Sequence, residues 1–164
     1  MAHSVPDLDL SLLPVTHREL IPESYRDRMG HMNVSWYIHL FNGALRGFYE
    51  LFGFNRSYME ATESGVFALE CHIRYLSEVK VGQRVTLRSR AIARTEKRLH
   101  FVLFMEIDDS GALASICEYV VAHIDMKVRR MSPILEPVAS RFDELVAEHQ
   151  ALDWDAPMCG SIRP

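Results

Sequence analysis

Tyr25-Arg26-Asp27-Arg28-Met29-Gly30-His31-Met32-Asn33, running directly into Val34-Ser35-Trp36-Tyr37, is the stretch from which the fold can be read. Gly30 and Asn33 favour turns, so the first nine residues make a loop rather than a helix. Beyond that loop, apolar residues stand at 34, 37, 38, 41, 44, 45, 48, 49 and 52, with no proline among them. The spacing predicts a helix from about Asn33 to Phe52, with Gly53 as its C-cap. Asn33 or Ser35 can cap its start. A carboxylate (Asp27) and an imidazole (His31) are thereby delivered to a helix N-terminus. There unpaired backbone N–H groups and the positive end of the helix dipole favour an anion or a developing oxyanion.

The 164 residues suit one domain (1–164) able to bury a core unaided. Residues 1–13 read as a lead-in arm, 14–135 as the core and 136–164 as a C-terminal helix and tail. The net charge of -4 disfavours a nucleic-acid partner. Cys71, Cys117 and Cys159 show no metal-like or disulfide-like pairing, so reduced thiols and no metal are expected, with Cys117 in the core. No apolar run reaches the roughly 18 residues of a membrane span, and the N-terminus lacks the regions of a signal peptide. A cytoplasmic protein with no membrane partner is the expectation.

Upstream of the loop, Val15 to Ile21 alternates loosely and predicts a first strand, closed by Pro22. Downstream of the helix, Asn55 to Glu63 predicts a short second helix. Val66 to Lys127 then reads as strands, broken at Lys80-Val81-Gly82, Thr95-Glu96-Lys97 and Asp108-Asp109-Ser110-Gly111. Period-two alternation there predicts antiparallel strands wet on one face. Residues 138–149 form an amphipathic helix, and the last dozen residues, without period, read as loose. Gly43 and Gly47, one turn apart in the long helix, cost about 1 kcal/mol each relative to alanine. Close packing of that face is the compensation expected. The whole is an α+β domain, an antiparallel sheet of about five strands round one long central helix. This order resembles the hot-dog fold. Leu40 and Leu51, extra apolar positions on the helix, imply surface that a homodimer or homotetramer would cover.

The string Asp27-x-x-Gly30-His31-x-Asn33-x-x-x-Tyr37, with Phe41 and Ala44 beyond it, resembles the 4-hydroxybenzoyl-CoA thioesterase family of hot-dog proteins. His72-Ile73-Arg74-Tyr75-Leu76, with Gly82 before the next strand, resembles the same family's second strand and turn. The likeness covers roughly residues 14–135. It implies an acyl-CoA thioesterase with Asp27 as nucleophile or as base toward water, and the Val34 backbone N–H as the group polarising the thioester carbonyl. His31 would orient the carboxylate or the water, or hold the loop. Many relatives carry Asn or His at the Val34 position, and that side-chain contact is absent here. A more distant likeness is to plant acyl-ACP thioesterases, whose Asp-x-Asn-x-His arrangement is incomplete because Met29 stands at the asparagine. Glu78 lies near their second acidic residue.

Each candidate has a structural alternative. Asn33 is a cap or a substrate contact; Tyr37 is core or contact. Glu70 and His72 belong to a solvated strand face or line a site across a subunit interface. Arg88, Arg90, Arg94, Lys97 and Arg98 form a basic cluster that would meet the CoA phosphates or be a solvated face. No cofactor is expected beyond the coenzyme A of the substrate. A subset that the chain resembles around His72–Leu76 includes thioesterases of carnitine and betaine breakdown, which implies a small polar acyl group; an aromatic or short one stays open. Two rival readings stand beside it. A hot-dog hydratase or dehydratase would want Asp and His one residue further apart. A non-catalytic acyl-CoA binder would have lost the carboxylate that Asp27 supplies.

Overall fold

The computed structural model describes residues 8–164; residues 1–7 of the expected lead-in arm lie outside the described residues. The arm is packed from Leu10 onward, with Leu10 and Leu13 buried around a 3-10 turn that Asp9 caps. The remaining elements are β1 (Val15–Leu20), α1 (Val34–Leu51), α2 (Arg56–Thr62), β2 (Ser64–Tyr75), β3 (Arg84–Arg94), β4 (Arg98–Ile107), β5 (Ala112–Asp125), β6 (Arg130–Met131) and α3 (Val138–Gln150). They form the hot-dog arrangement: a curled antiparallel sheet in the order β1-β3-β4-β5-β2, a long helix, and an added C-terminal helix. The two-residue β6, paired with the end of β5, is the one strand the periodicity misses. It is too short to carry a period. None of the described helices is long and apolar enough to cross a membrane.

Contacts divide the fold into two compact halves. The first holds residues 8–47, Ile73–Ser89 and Leu103–Cys117. Here β1 pairs antiparallel with β3 from Val15↔Arg88 to Leu20↔Arg84, with a bulge at Thr16. The extra residue is tied back by a 2.7 Å hydroxyl–hydroxyl bond to Ser89. Helix α1 lies against β1 through its glycines. A Cβ at Gly43 would sit 3.2 Å from the His17 ring, and one at Gly47 would overlap the Thr16 carbonyl oxygen. The close packing expected of these positions is what they do. Leu40, expected to lie bare, is buried with Phe41 and Ala44; Leu51 does stay exposed.

The second half comprises Phe48–His72, Arg90–Val102 and Glu118–Pro164. Its core is aromatic: Phe48 meets Phe101 at 4.6 Å, Phe52 meets Phe142 of α3 at 5.0 Å, and Phe101 stacks on Tyr119 at 5.5 Å.

Two expectations fail. Strands β4 and β5 are not wet on one side: His100, Val102, Glu118 and Val120 are as buried as their neighbours. And the last residues are not loose. Arg90 donates to the carbonyls of His149 and Trp154 at 2.9 and 2.8 Å, Ala91 N–H donates to His149 Nδ1, and Cys159 N–H donates to Glu118 at 2.7 Å. Ile162 is buried. Helix α3 and the tail thus meet Arg90, Ala91 and Arg94 of β3 and Glu118 of β5. An aperiodic segment can pack well when buried polar groups of a sheet supply its hydrogen-bond partners.

Candidate active site

The loop read from the sequence is a small hairpin. Arg26 and Met32 bridge antiparallel, and Asp27 N–H donates to the His31 carbonyl at 2.8 Å. Gly30 takes the turn at φ +91°, a region that favours glycine. The hairpin is tied down by Met32 N–H to the Val79 carbonyl and Asn33 N–H to the Tyr25 carbonyl, both 2.8 Å. Tyr25 stacks on Trp36 at 3.8 Å with ring planes 7° apart, fixing the loop to the first turn of α1. Asn33 caps that turn, its Oδ1 accepting from Ser35 N–H at 3.0 Å and from the Ser35 hydroxyl at 2.7 Å.

Asp27 is held by one oxygen. Its Oδ1 accepts from Met29 N–H at 2.8 Å and His31 N–H at 3.1 Å, while Oδ2 has no hydrogen bond among the described residues. Partial burial works to raise its pKa. The amides of His31 and Met29 and the nearby imidazole outweigh that and hold it below the ordinary carboxylate value. The group is therefore a carboxylate at neutral pH, with one oxygen clamped and one available. Val34 opens α1, and its N–H has no acceptor among the described residues. That is the donor an N-terminal helix residue leaves over.

Asp27, His31, Val34, Tyr37, Tyr75 and Glu78 line one open pocket of about 330 Å³. His31 Nε2 lies 3.0 Å from Glu78 Oε2. Both side chains are substantially exposed, so the pair fixes orientation more than it adds stability. Tyr37 is buried and packs edge-on against Tyr75 at 5.0 Å. Burial pushes the Tyr37 phenol up, so it stays a neutral hydroxyl.

Of the residues predicted from sequence, Asp27, His31, Val34, Tyr37 and Glu78 meet at this pocket. Asn33 makes the capping contact, and Glu70 is exposed on β2. His72 lies beside Glu118 and Cys159. In the basic cluster, Arg88 pairs with Glu106 at 2.9 Å and donates to the Leu13 carbonyl. Arg90 is buried over the Trp154 ring at 4.1 Å, and Arg94 grips both oxygens of Asp143. These three guanidinium groups hold the chain's own segments on β3. Lys97 and Arg98 stand half-buried at the start of β4, and none of the five lines the pocket. Met32, Tyr75, Leu76 and Ser77 also line the pocket and are not among the predicted site residues; of these Tyr75 brings the most chemistry. It reads as one more apolar position of β2, and its only local signal is that the strand ends there.

The thioesterase-like superfamily profile matches residues 22–142. The betainyl-CoA thioesterase of Pseudomonas aeruginosa is 27% identical over 143 residues, covering 87% of this chain and 90% of that protein. The L-carnitine dehydrogenase/betainyl-CoA thioesterase of Ruegeria pomeroyi is 30% identical over 154 residues, but the chain spans only 30% of its length. A Staphylococcus aureus protein solved in complex with CoA superposes with a TM-score of 0.78 at 25% identity, covering 87% of this chain and 90% of that one. The 1,4-dihydroxy-2-naphthoyl-CoA thioesterase of Synechocystis, at 11% identity and a TM-score of 0.70 over 80% of this chain and 96% of its own, shares the fold. The profile match spans the carboxylate hairpin, α1 and β2 to β5, and with it the chain belongs to the thioesterase-like superfamily.

Proposed function

We propose that this chain hydrolyses a short acyl-CoA thioester bearing a polar or cationic end, of the betainyl kind, with Asp27 as the reacting carboxylate. Thioester hydrolysis is the enzyme class of the family. The observation that carries the assignment of Asp27 is the clamped carboxylate with a free Oδ2, in the same pocket as the spare N–H of Val34. In this reading the thioester carbonyl oxygen accepts from Val34 N–H, which stabilises the negative charge that develops on that oxygen as the carbonyl carbon is attacked. Asp27 either attacks that carbon itself, expelling the CoA thiolate and leaving an anhydride for water to open, or takes a proton from the attacking water. Both routes end in free acid and CoA. His31, held by Glu78, stands beside the carboxylate as its orienting group.

Support for a cationic acyl group comes from the pocket and from the relatives. Tyr37 and Tyr75 present aromatic rings, whose faces attract quaternary ammonium groups, and Glu78 adds a carboxylate. Relatives named betainyl-CoA thioesterases align along most of the chain. The test is a panel of CoA esters read by free-thiol release, with Asp27→Asn alongside. Betainyl-CoA is expected to exceed acetyl- and benzoyl-CoA in kcat/KM by roughly 2- to 30-fold, the equivalent of a cation–π gain of about 0.5–2 kcal/mol. Equal rates across the panel would remove the cationic preference but keep the thioesterase. Full activity in Asp27→Asn would remove the mechanism.

A further inference from the structure

The second half of the fold contains a cluster none of whose residues lines the pocket described above. His72 on β2, Glu118 on β5 and Cys159 in the tail each offer a ligand atom, and the three atoms lie within 4.8 Å of one another. They come from three separate segments and differ in exposure: Glu118 is buried, Cys159 half-buried and His72 exposed. Glu118 is also supported from behind. Its Oε1 lies 2.8 Å from Nε2 of His100, itself buried, and its Oε2 accepts the Cys159 N–H at 2.7 Å. A carboxylate is thus fixed in a buried place by an imidazole and a backbone amide, with the Cys159 sulfur close by.

We propose that His72, Glu118 and Cys159 bind a borderline divalent cation of the zinc class, which fastens the C-terminal tail to the sheet. Nitrogen, oxygen and sulfur donors in this mixture suit tetrahedral Zn²⁺, with bonds of about 2.0–2.3 Å and donors roughly 3.3–3.8 Å apart. The three atoms lie within 4.8 Å of one another, and His72, exposed on its strand, is the donor that moves to close the set round an ion. On binding, the Cys159 thiol gives up its proton to solvent, and thiolate, carboxylate and neutral imidazole then leave the dication with little net charge to balance. His100 is the outer partner that orients the ligating carboxylate. This inference does not rest on the proposed thioesterase reaction.

The experiment uses full-length protein stripped with chelator and titrated with Co²⁺, whose bond to a thiolate gives a near-ultraviolet charge-transfer band, and with Zn²⁺. One equivalent of Co²⁺ per chain is expected to produce the band. Cys159→Ser should abolish it, His72→Ala should weaken binding at least about tenfold, and Cys71→Ser should leave it intact. Zn²⁺ in hundredfold excess over Kd should raise Tm by roughly 5–10 °C in the wild type and not in Cys159→Ser. Glu118→Gln disturbs a buried pair and is not needed, since His72→Ala lies on an exposed strand and folds. The proposal is overturned if wild type gives neither band nor Tm shift. It is equally overturned if the band survives Cys159→Ser or disappears in Cys71→Ser.

Discussion

Asp27 holds its two carboxylate oxygens differently: Oδ1 accepts from two backbone N–H groups and Oδ2 has no hydrogen bond among the described residues. Under the proposed mechanism, Asp27→Asn keeps the anchoring acceptor and removes the reacting oxygen. We therefore expect a roughly 10²–10⁴-fold loss in kcat for a general base, with an unchanged circular dichroism spectrum. Because backbone amides hold the carboxyl below its ordinary value, the acid limb of kcat/KM should lie below the usual Asp value of about 3.9. Activity falls as pH drops through that limb and the carboxylate is protonated; a limb near pH 6 would point to a different group. Among single residues, the sequence says most where they crowd together. Asp27, His31, Val34 and Tyr37 are legible because a turn and a helix start place them locally. Tyr75 and the Cys159–Glu118 contact are not, because each depends on a pairing of distant segments that no local pattern encodes.

Helix α1 supports two opposite expectations about small changes. If the Val34 N–H polarises the carbonyl, Val34→Ala should cost little turnover. Val34→Pro, which deletes the donor yet suits a helix's first turn, should cost about a hundred- to a thousandfold, or roughly 2.7–4 kcal/mol. Both variants need matching circular dichroism and oligomer size, and a folded proline variant with normal turnover would place the oxyanion donor elsewhere. Gly47→Ala should go against propensity. Alanine gains about 1 kcal/mol in an ordinary helix, but here its Cβ meets the Thr16 carbonyl, a backbone atom that cannot swing aside. A net loss of about 1–3 kcal/mol in urea unfolding is expected. The element limits were readable to within a residue or two because caps such as Asn55 and the period of α1 are local signals. The burial of His100, Val102, Glu118 and Val120 was not, since alternation reports which face is polar and not what packs on it; at Glu118 the partner is a tail without period.

For the molecule as a whole, the tail sets a dependence on pH. His149 is buried and accepts the Ala91 N–H, so it must be neutral; burial, with Arg90 nearby, lowers its pKa from 6.5 to about 4. With the folded value below the unfolded one, its contribution is complete above about pH 6.5 and is lost as pH falls toward 4. Tm should drop across that window by more than in His149→Gln. Strand β2, twelve residues long, ends the sheet and exposes Phe67, Leu69 and Tyr75. We expect light scattering to show a homodimer or homotetramer; a lone 18.9 kDa species would refute it. The hydrogen bonds that tie down the carboxylate hairpin also impose an order in time. Met32 is fastened to Val79, almost fifty residues later, and Ile21 to Gln83, so neither the hairpin nor β1 has its partner when it leaves the ribosome. At about 5–20 residues per second that is a delay of roughly 2–9 s for the hairpin, during which α1, α2 and β2 are made with Asp27 already present and its loop not yet fastened. A nascent chain stalled before residue 79 would be a thioesterase in composition but not in geometry.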